Sequence, residues 1–384
     1  MKKNALLQNL LILLLSLTAS FIFAEIFLNI IGFSYPNFYQ YDSLLGSKLK
    51  PFSEGLYTKE GKAYIKINSK GWRDTEHSEK KPPNTFRIAI LGDSYAEAMQ
   101  VDLNKTFWKI IEKKLNKKIK KPHIEVLNFG VSGYGTAQEY ILLKNEVFKY
   151  NPDLIVLTIT TGNDIRNNSK SLEPNKLRPF YILENGKLKE DFSFKNSKAF
   201  KKKLNFPHKV WRFLLSHSKV FQLINKFKHF LKYKKTKTNG LSAEIYKKPK
   251  NKEWYEAWQI TKMLIKKICD ESSKKQIKCI VAILSNPIQV LPDKNKRNEF
   301  FNKTNGYIFL PEDTLSSWCE KNNIKVICLA PILQKIADKN KIYFHGFKNT
   351  KLGEGHWNET GHKYAGEILA RFIYDNFFSK KKTQ

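Results

Sequence analysis

Five short apolar runs, each separated from the next by at least one helix-length segment, constrain this chain more than any other feature. They are Arg87-Ile88-Ala89-Ile90-Leu91, Ile124–Leu127, Leu154–Thr160, Ile277–Leu284 and Ile324–Leu329. Each is too short for an independent helix and too uniformly apolar for a strand with one wet face, so each reads as a strand buried on both sides. Periodic segments lie between them, notably Thr106–Lys118, Ala137–Tyr150, Trp254–Lys275 and Asp313–Lys321. Strands alternating with helices require crossover connections, and these produce a parallel sheet covered on both faces. The expected class is therefore α/β.

The rest of the chain is organised around that unit. Lys2 and Lys3 precede an apolar run from Ala5 to Phe33, broken by Gln8, Asn9, Glu25 and Asn29; about 20 apolar residues suffice to cross a bilayer. Residues 1–33 are thus expected to be a transmembrane anchor. Cleavage after Ala24 is the alternative, disfavoured by the large Ile22 and by the apolar run resuming at Ile26. With the two lysines held inside, the remainder should be extracytoplasmic. Residues 34–84 read as a strand-rich approach segment closing on Lys81-Pro82-Pro83, and 85–380 as the main domain. An insertion at about 167–252 interrupts the alternation. It opens with a hairpin signal, Phe180–Leu183 followed by Asn185-Gly186, and continues as a basic amphipathic stretch with Trp211, Leu214, Phe221, Ile224, Phe227 and Leu231 on one helical face.

A hydrophobic content of 41% supports a real core and argues against global disorder. The formal net charge of +33 is almost all lysine, scattered along the whole chain without a basic groove-reading motif. It reads as a solvated surface, and nucleic acid is not expected as a partner. Cys269, Cys279, Cys319 and Cys328 form no CxxC pair, so no metal site is expected. An oxidising compartment would permit a disulfide; buried free thiols are the expectation.

Chemistry concentrates in loops just beyond the carboxyl ends of the first three strands, where open parallel sheets bind ligands. The first holds Gly92-Asp93-Ser94-Tyr95, with a serine at the start of a helix. The second is Asn128-Phe129-Gly130-Val131-Ser132-Gly133-Tyr134-Gly135, whose glycine amides allow close approach of a substrate oxygen. The third is Gly162-Asn163-Asp164, offering a side-chain amide. Backbone and asparagine donors of this kind build oxyanion holes. Near the C-terminus, Gly353-Glu354-Gly355-His356-Trp357-Asn358-Glu359-Thr360-Gly361-His362 places a histidine in the loop before the last helix. From there an imidazole can meet the serine of the first loop.

The order and placement of these four blocks resemble the SGNH/GDSL hydrolase superfamily over roughly residues 86–378, the insertion excepted. Asn68-Ser69-Lys70-Gly71-Trp72-Arg73-Asp74 also looks like bacterial members carrying an N-terminal anchor. The resemblance implies a flavodoxin-like three-layer α/β/α sandwich, no cofactor, and hydrolysis or transfer of an ester-linked acyl group. It implies Ser94 as nucleophile and oxyanion donor, Gly133 and Asn163 as the other donors, and His356 as general base. Two departures stand out. Thr161 takes the place of the first glycine in the third block, and Gly353 takes the place of an aspartate three residues before the histidine. Glu354 is the nearest acid. Either it orients His356, or the site runs as a Ser-His dyad supported by a backbone carbonyl.

The expected function is a serine esterase acting on an acylated small molecule or saccharide at the cell surface. The alternatives are an O-acyltransferase for extracytoplasmic polysaccharide and an inactive binding protein of the same fold. His362, inside the last helix, is expected to pack or cap instead of facing Ser94. The aromatic residues Phe180, Tyr181, Trp211 and Phe221 of the insertion are expected to form a lid or wall for a larger substrate.

Overall fold

Two antiparallel hairpins precede the main sheet: β1 (Tyr39–Asp42) pairs with β2 (Gly46–Leu49), and β3 (Glu54–Tyr57) with β4 (Ala63–Lys66). The main sheet then builds from β5 (Thr85–Leu91), β6 (His123–Asn128) and β7 (Leu154–Ile159). A third hairpin, β8 (Phe180–Glu184) with β9 (Lys187–Asp191), turns through Asn185 and Gly186, both at positive φ. Strands β10 (Lys278–Ile283) and β11 (Lys325–Cys328) complete the sheet, whose order is β11-β10-β7-β5-β6 with every pair parallel. This is a computed structural model, and it describes residues 2–233 and 243–379. Residues 234–242, inside the insertion, and residue 380, the last of the expected main domain, lie outside the described residues.

The apolar runs of the central strands β5, β7 and β10 are buried on both faces because successive side chains of a strand point to opposite sides, whereas the edge strand β11 is only partly buried. Ala89, Leu91, Ile155, Leu157, Val281 and Ile283 enter one core, with Leu142, Leu264 and Leu315 from the helices Thr136–Asn145, Lys252–Lys274 and Leu310–Lys321. Ile88, Ile90, Leu154, Val156, Ile280 and Ala282 enter the other, with Ile111, Leu333 and Leu369 from Phe107–Lys118, Leu329–Asn340 and Glu359–Phe377. The product is a three-layer α/β/α sandwich. The chain moves from β5 outward to β6 and then back across β5 to β7, so the connections leave β5 in opposite directions. That reversal opens a crevice at the carboxyl ends of these three strands.

The approach segment joins the first of these cores through Phe38, Leu49, Ile65 and Trp72. The most apolar stretch of the helix Lys2–Ile30 is unburied, and its C-terminal end meets the insertion through Phe21 and Glu25. The amphipathic stretch of the insertion, read from sequence as a single face, is divided at Ser218 into the helices Phe206–His217 and Lys219–Tyr233. The expectation for the cysteines is corrected in part. Cys269 and Cys279, with Cα atoms 5.3 Å apart, form a disulfide between the helix Lys252–Lys274 and β10, because the helix face and the adjacent strand meet within bridging distance. Cys319 and Cys328 are free thiols.

Candidate active site

Strand β5 ends in Gly92-Asp93, and Asp93 starts the short helix Ser94–Glu97 by accepting the Tyr95 N–H at 3.0 Å. Ser94 is therefore the first helical residue, set at the crevice with its own N–H left over by the helix geometry. The far end of this helix is locked by Arg73. Its buried guanidinium donates to the Glu97 carbonyl at 2.9 Å and to the carbonyls of Ala98 and Val101. Asp74 next to it accepts the Asn128 N–H at 3.0 Å, so the Trp72-Arg73-Asp74 motif ties the first loop to the second. A further tie runs through Glu97, whose buried carboxylate accepts hydrogen bonds from the hydroxyls of Ser132 and Tyr39, the latter at 2.7 Å. Burial pushes this carboxyl above its ordinary range, against the opposing pull of those hydroxyls.

Ser94 Oγ lies 2.8 Å from His356 Nε2. The other ring nitrogen, Nδ1, is 2.5 Å from Glu60 Oε2, and the His356 N–H donates to Glu60 Oε1 at 2.6 Å. One carboxylate thus grips both the ring and the backbone of His356. Burial depresses the imidazole pKa, but the hydrogen bond and charge of Glu60 outweigh it and hold His356 above its ordinary value. Burial likewise raises Glu60, and His356 more than reverses the effect.

Glu60 corrects the expectation placed on Glu354. The Glu354 side chain is 60% exposed and ion-paired with Lys351, and the ring nitrogens of His356 meet Glu60 and Ser94 instead. Glu60 sits in the turn between β3 and β4, remote from His356 in sequence. Asn349 brings the two together: its Oδ1 accepts the Gly61 N–H at 2.9 Å, and its Nδ2 donates to the carbonyls of Thr58 at 3.1 Å and Gly61 at 3.0 Å. Gly355 has φ +74, and a Cβ there would fall 2.0 Å from Glu60 Oε1. Only glycine leaves room for the carboxylate at this point. Behind the loop, the Gly355 carbonyl meets His345 Nδ1 at 2.9 Å and accepts from the Tyr95 hydroxyl at 3.2 Å. His345 is buried, which pushes its pKa down to about 3 and keeps it neutral.

The other candidate donors stand in the loops that follow β6 and β7. Asn163 Nδ2 donates one hydrogen to Asp93 Oδ2 at 3.0 Å, which fixes the amide and leaves its second hydrogen for another acceptor. Asp93 is itself held by the Thr160 hydroxyl at 3.1 Å, and burial raises its pKa. Thr161, in the position of the missing glycine, accepts from Asn286 Nδ2 at 2.9 Å, clamping the third loop to the end of β10. Gly133 has φ +78 with open space on its Cβ side, and Arg178 Nη1 donates to its carbonyl at 2.6 Å. Among the described residues, neither the Ser94 N–H nor the Gly133 N–H donates a backbone hydrogen bond. His362 is buried against Phe107, accepting its N–H at 3.3 Å through Nδ1, and does not face Ser94.

A cavity of about 640 Å³, lined by Tyr246, Phe300, Tyr343, Leu352, Lys296 and Lys303 among others, reaches Gly355 beside His356. The aromatic residues expected to wall the site lie elsewhere. Phe180 and Tyr181 are buried, Tyr181 in the core against Tyr140, and Trp211 and Phe221 pack on each other beside the N-terminal helix. The hairpin found a neighbour to bury its apolar face against, whereas of the helical stripe only Trp211 and Phe221 did, and Ile224 and Phe227 stay exposed. Among the described residues no cluster of His, Cys, Asp and Glu is arranged to hold a metal ion.

No protein-family model and no curated protein matches this sequence. Among solved structures, the chain is similar to a lipase/acylhydrolase from Enterococcus faecalis, at 12% identity over 77% of this chain and 99% of that one, with a TM-score of 0.40. It is similar to an acetyl xylan esterase at 13% identity over 75% of this chain and 100% of that one, with a TM-score of 0.39. A catalytic mutant of an acetylxylan esterase from Geobacillus stearothermophilus is matched at 12% identity over 77% of this chain and 95% of that one, with a TM-score of 0.39.

Proposed function

We propose that this chain is a serine esterase of the SGNH/GDSL type, held at a membrane by residues 1–33 and acting outside the cytoplasm. The observation that carries the reading is the relay from Ser94 Oγ through His356 to Glu60, at 2.8 and 2.5 Å. In this reading Glu60 holds the proton of His356 on Nδ1, leaving Nε2 free to take the Ser94 proton as Oγ attacks an ester carbonyl. The tetrahedral oxyanion is met by the Ser94 N–H, the Gly133 N–H and the free hydrogen of Asn163 Nδ2. His356 then returns the proton to the departing alcohol, leaving an acyl-Ser94 ester. Water deacylates it in an esterase. A saccharide hydroxyl taking the place of water would make the same site an O-acyltransferase.

A non-catalytic binding role is motivated only by Gly353 standing where an aspartate is normal, and Glu60 removes that motive. The extracytoplasmic placement rests on the Lys2-Lys3 flank of the apolar helix, and the Cys269–Cys279 disulfide suits an oxidising compartment. The cavity beside His356, with its aromatic walls and lysines, suits an acylated saccharide better than a bare small ester. Mass spectrometry with acetyl esters, with and without oligosaccharide acceptors, tests the reading. Free acetate indicates hydrolysis, and acetylated sugar indicates transfer. No product and no Ser94 adduct with any donor would sink it.

Asn349 supplies a second test, because it touches neither the serine nor the histidine yet carries the turn that holds Glu60. Asn349→Ala should lower kcat roughly 10- to 100-fold, as expected when a reacting geometry is misplaced by about an ångström. KM should be nearly unchanged. A kcat equal to that of the unaltered enzyme would show that Glu60 is held without this clamp.

A further inference from the structure

The helices Phe206–His217 and Lys219–Tyr233 carry an apolar face that stays largely exposed among the described residues. Phe206 is 76% exposed, Phe213 and Phe227 are each 61% exposed, and Leu223 and Ile224 are exposed beside them. Spacings of three, four and seven residues put these side chains on one stripe of each helix. The opposite face is the packed one: Leu215 and Gln222 are buried, and Gln222 Oε1 accepts the Tyr35 N–H at 2.9 Å. Lysines flank the open stripe, with Lys209, Lys226 and Lys228 exposed.

The depth of this face follows from what caps it. Glu25, near the C-terminal end of the apolar helix, accepts the Lys219 N–H at 2.6 Å, the Val220 N–H at 3.1 Å and the Ser218 hydroxyl at 2.8 Å. Phe21 meets Phe221 with ring centroids 6.1 Å apart. The candidate span Asn4–Ile30 has 27 residues, roughly 40 Å of helix, whereas a hydrocarbon core about 30 Å thick is crossed by about 20 residues. Counted from Asn4, the core is crossed by about Ala24, and Glu25 falls at the headgroup boundary. The helix that Glu25 caps therefore starts at that boundary as well.

Resting on the reading of residues 1–33 as an anchor, we infer that the two helices of residues 206–233 lie in the outer membrane-water interface. Their apolar stripe enters the acyl boundary and their lysines select anionic headgroups. Amphipathic helices with a basic polar face bind membranes in this way. Placed so, the insertion fixes the catalytic domain against the bilayer instead of letting it swing on a single helix.

The test uses the full chain in nanodiscs, with an environment-sensitive dye on Phe213→Cys, Phe227→Cys or Leu15→Cys and lipids carrying quenchers at shallow or deep positions. The unsubstituted chain supplies the background from Cys319 and Cys328. Dyes at 213 and 227 should be blue-shifted and quenched by shallow lipid, and the dye at 15 by deep lipid. The shallow quenching should be stronger with phosphatidylglycerol than with phosphatidylcholine alone, and Lys226→Glu with Lys228→Glu should remove that difference. Deep quenching at 15 with solvent-like dyes at 213 and 227 overturns the inference while the anchor stands. No quenching at 15 overturns the anchor and the inference with it. Blue shifts at 213 and 227 that grow with protein concentration in detergent, and are absent in lipid, assign the face to a second copy of the chain and overturn it equally.

Discussion

Replacing Ser94 by alanine should lower kcat for ester turnover by roughly 10⁴-fold or more, while the protein stays folded. The hydroxyl accounts for little stability, because Asp93, and not Ser94, caps the short helix through the Tyr95 N–H. Its loss leaves His356 Nε2 without a 2.8 Å partner, a cost of about 1 kcal/mol. Labelling by a fluorophosphonate probe should vanish with the activity. A Ser94→Ala,His356→Ala double variant should be little worse than either single one, since residues acting as one unit do not contribute additively. Full labelling of Ser94→Ala would place the nucleophile elsewhere, and full activity would end the serine mechanism.

The sheet and its order of helices were legible because burial on both faces forces uniform apolar runs, and Ile88 to Leu91 or Ile155 to Ile159 cannot be written otherwise. The three loops after β5, β6 and β7 were legible for a related reason, since parallel strands deliver their ends to one edge. What escaped was whatever depends on contacts between remote segments. Glu60 lies in the Thr58-Lys59-Glu60-Gly61 turn of the approach segment, 296 residues from His356 in the chain, and only the packing of that segment onto the His356 loop makes it a ligand of the ring. The Cys269–Cys279 bridge escaped because periodicity tells which face of a helix is buried but not which strand residue faces it. The break at Ser218 left only a local signal, the serine that caps the next helix through the Phe221 N–H, and the rest of the cap, Glu25, comes from the N-terminal helix.

That remote contact carries the second large effect. Glu60→Gln should lower the plateau kcat by roughly 10²- to 10⁴-fold. An amide at position 60 can offer His356 Nδ1 an N–H, favouring the tautomer with hydrogen on Nε2, where it faces Ser94 and blocks proton abstraction. The loss of negative charge also removes the stabilisation of the imidazolium that forms as Ser94 attacks. The pH profile distinguishes this from a structural defect. The base works only when neutral, so activity rises with pH through the His356 pKa, which Glu60 holds above 6.5 against the downward push of burial. With the carboxylate gone, only the smaller influences of Asp93 and Glu97 oppose burial, and the acidic limb should move to lower pH even as the plateau drops. Stability has the matching sign. A histidine pKa raised by folding stabilises the native state fully below the unfolded value near 6.5, and the contribution fades as pH rises through the folded value. The Glu60→Gln variant should therefore lose thermal stability relative to the unaltered protein more at pH 6 than at pH 9. Glu354→Gln is the control: its carboxylate is paired with Lys351 at the surface, so both the plateau and the limb should stay where they are. If Glu354→Gln abolished turnover and Glu60→Gln left it intact, the orienting carboxylate would be the local one after all.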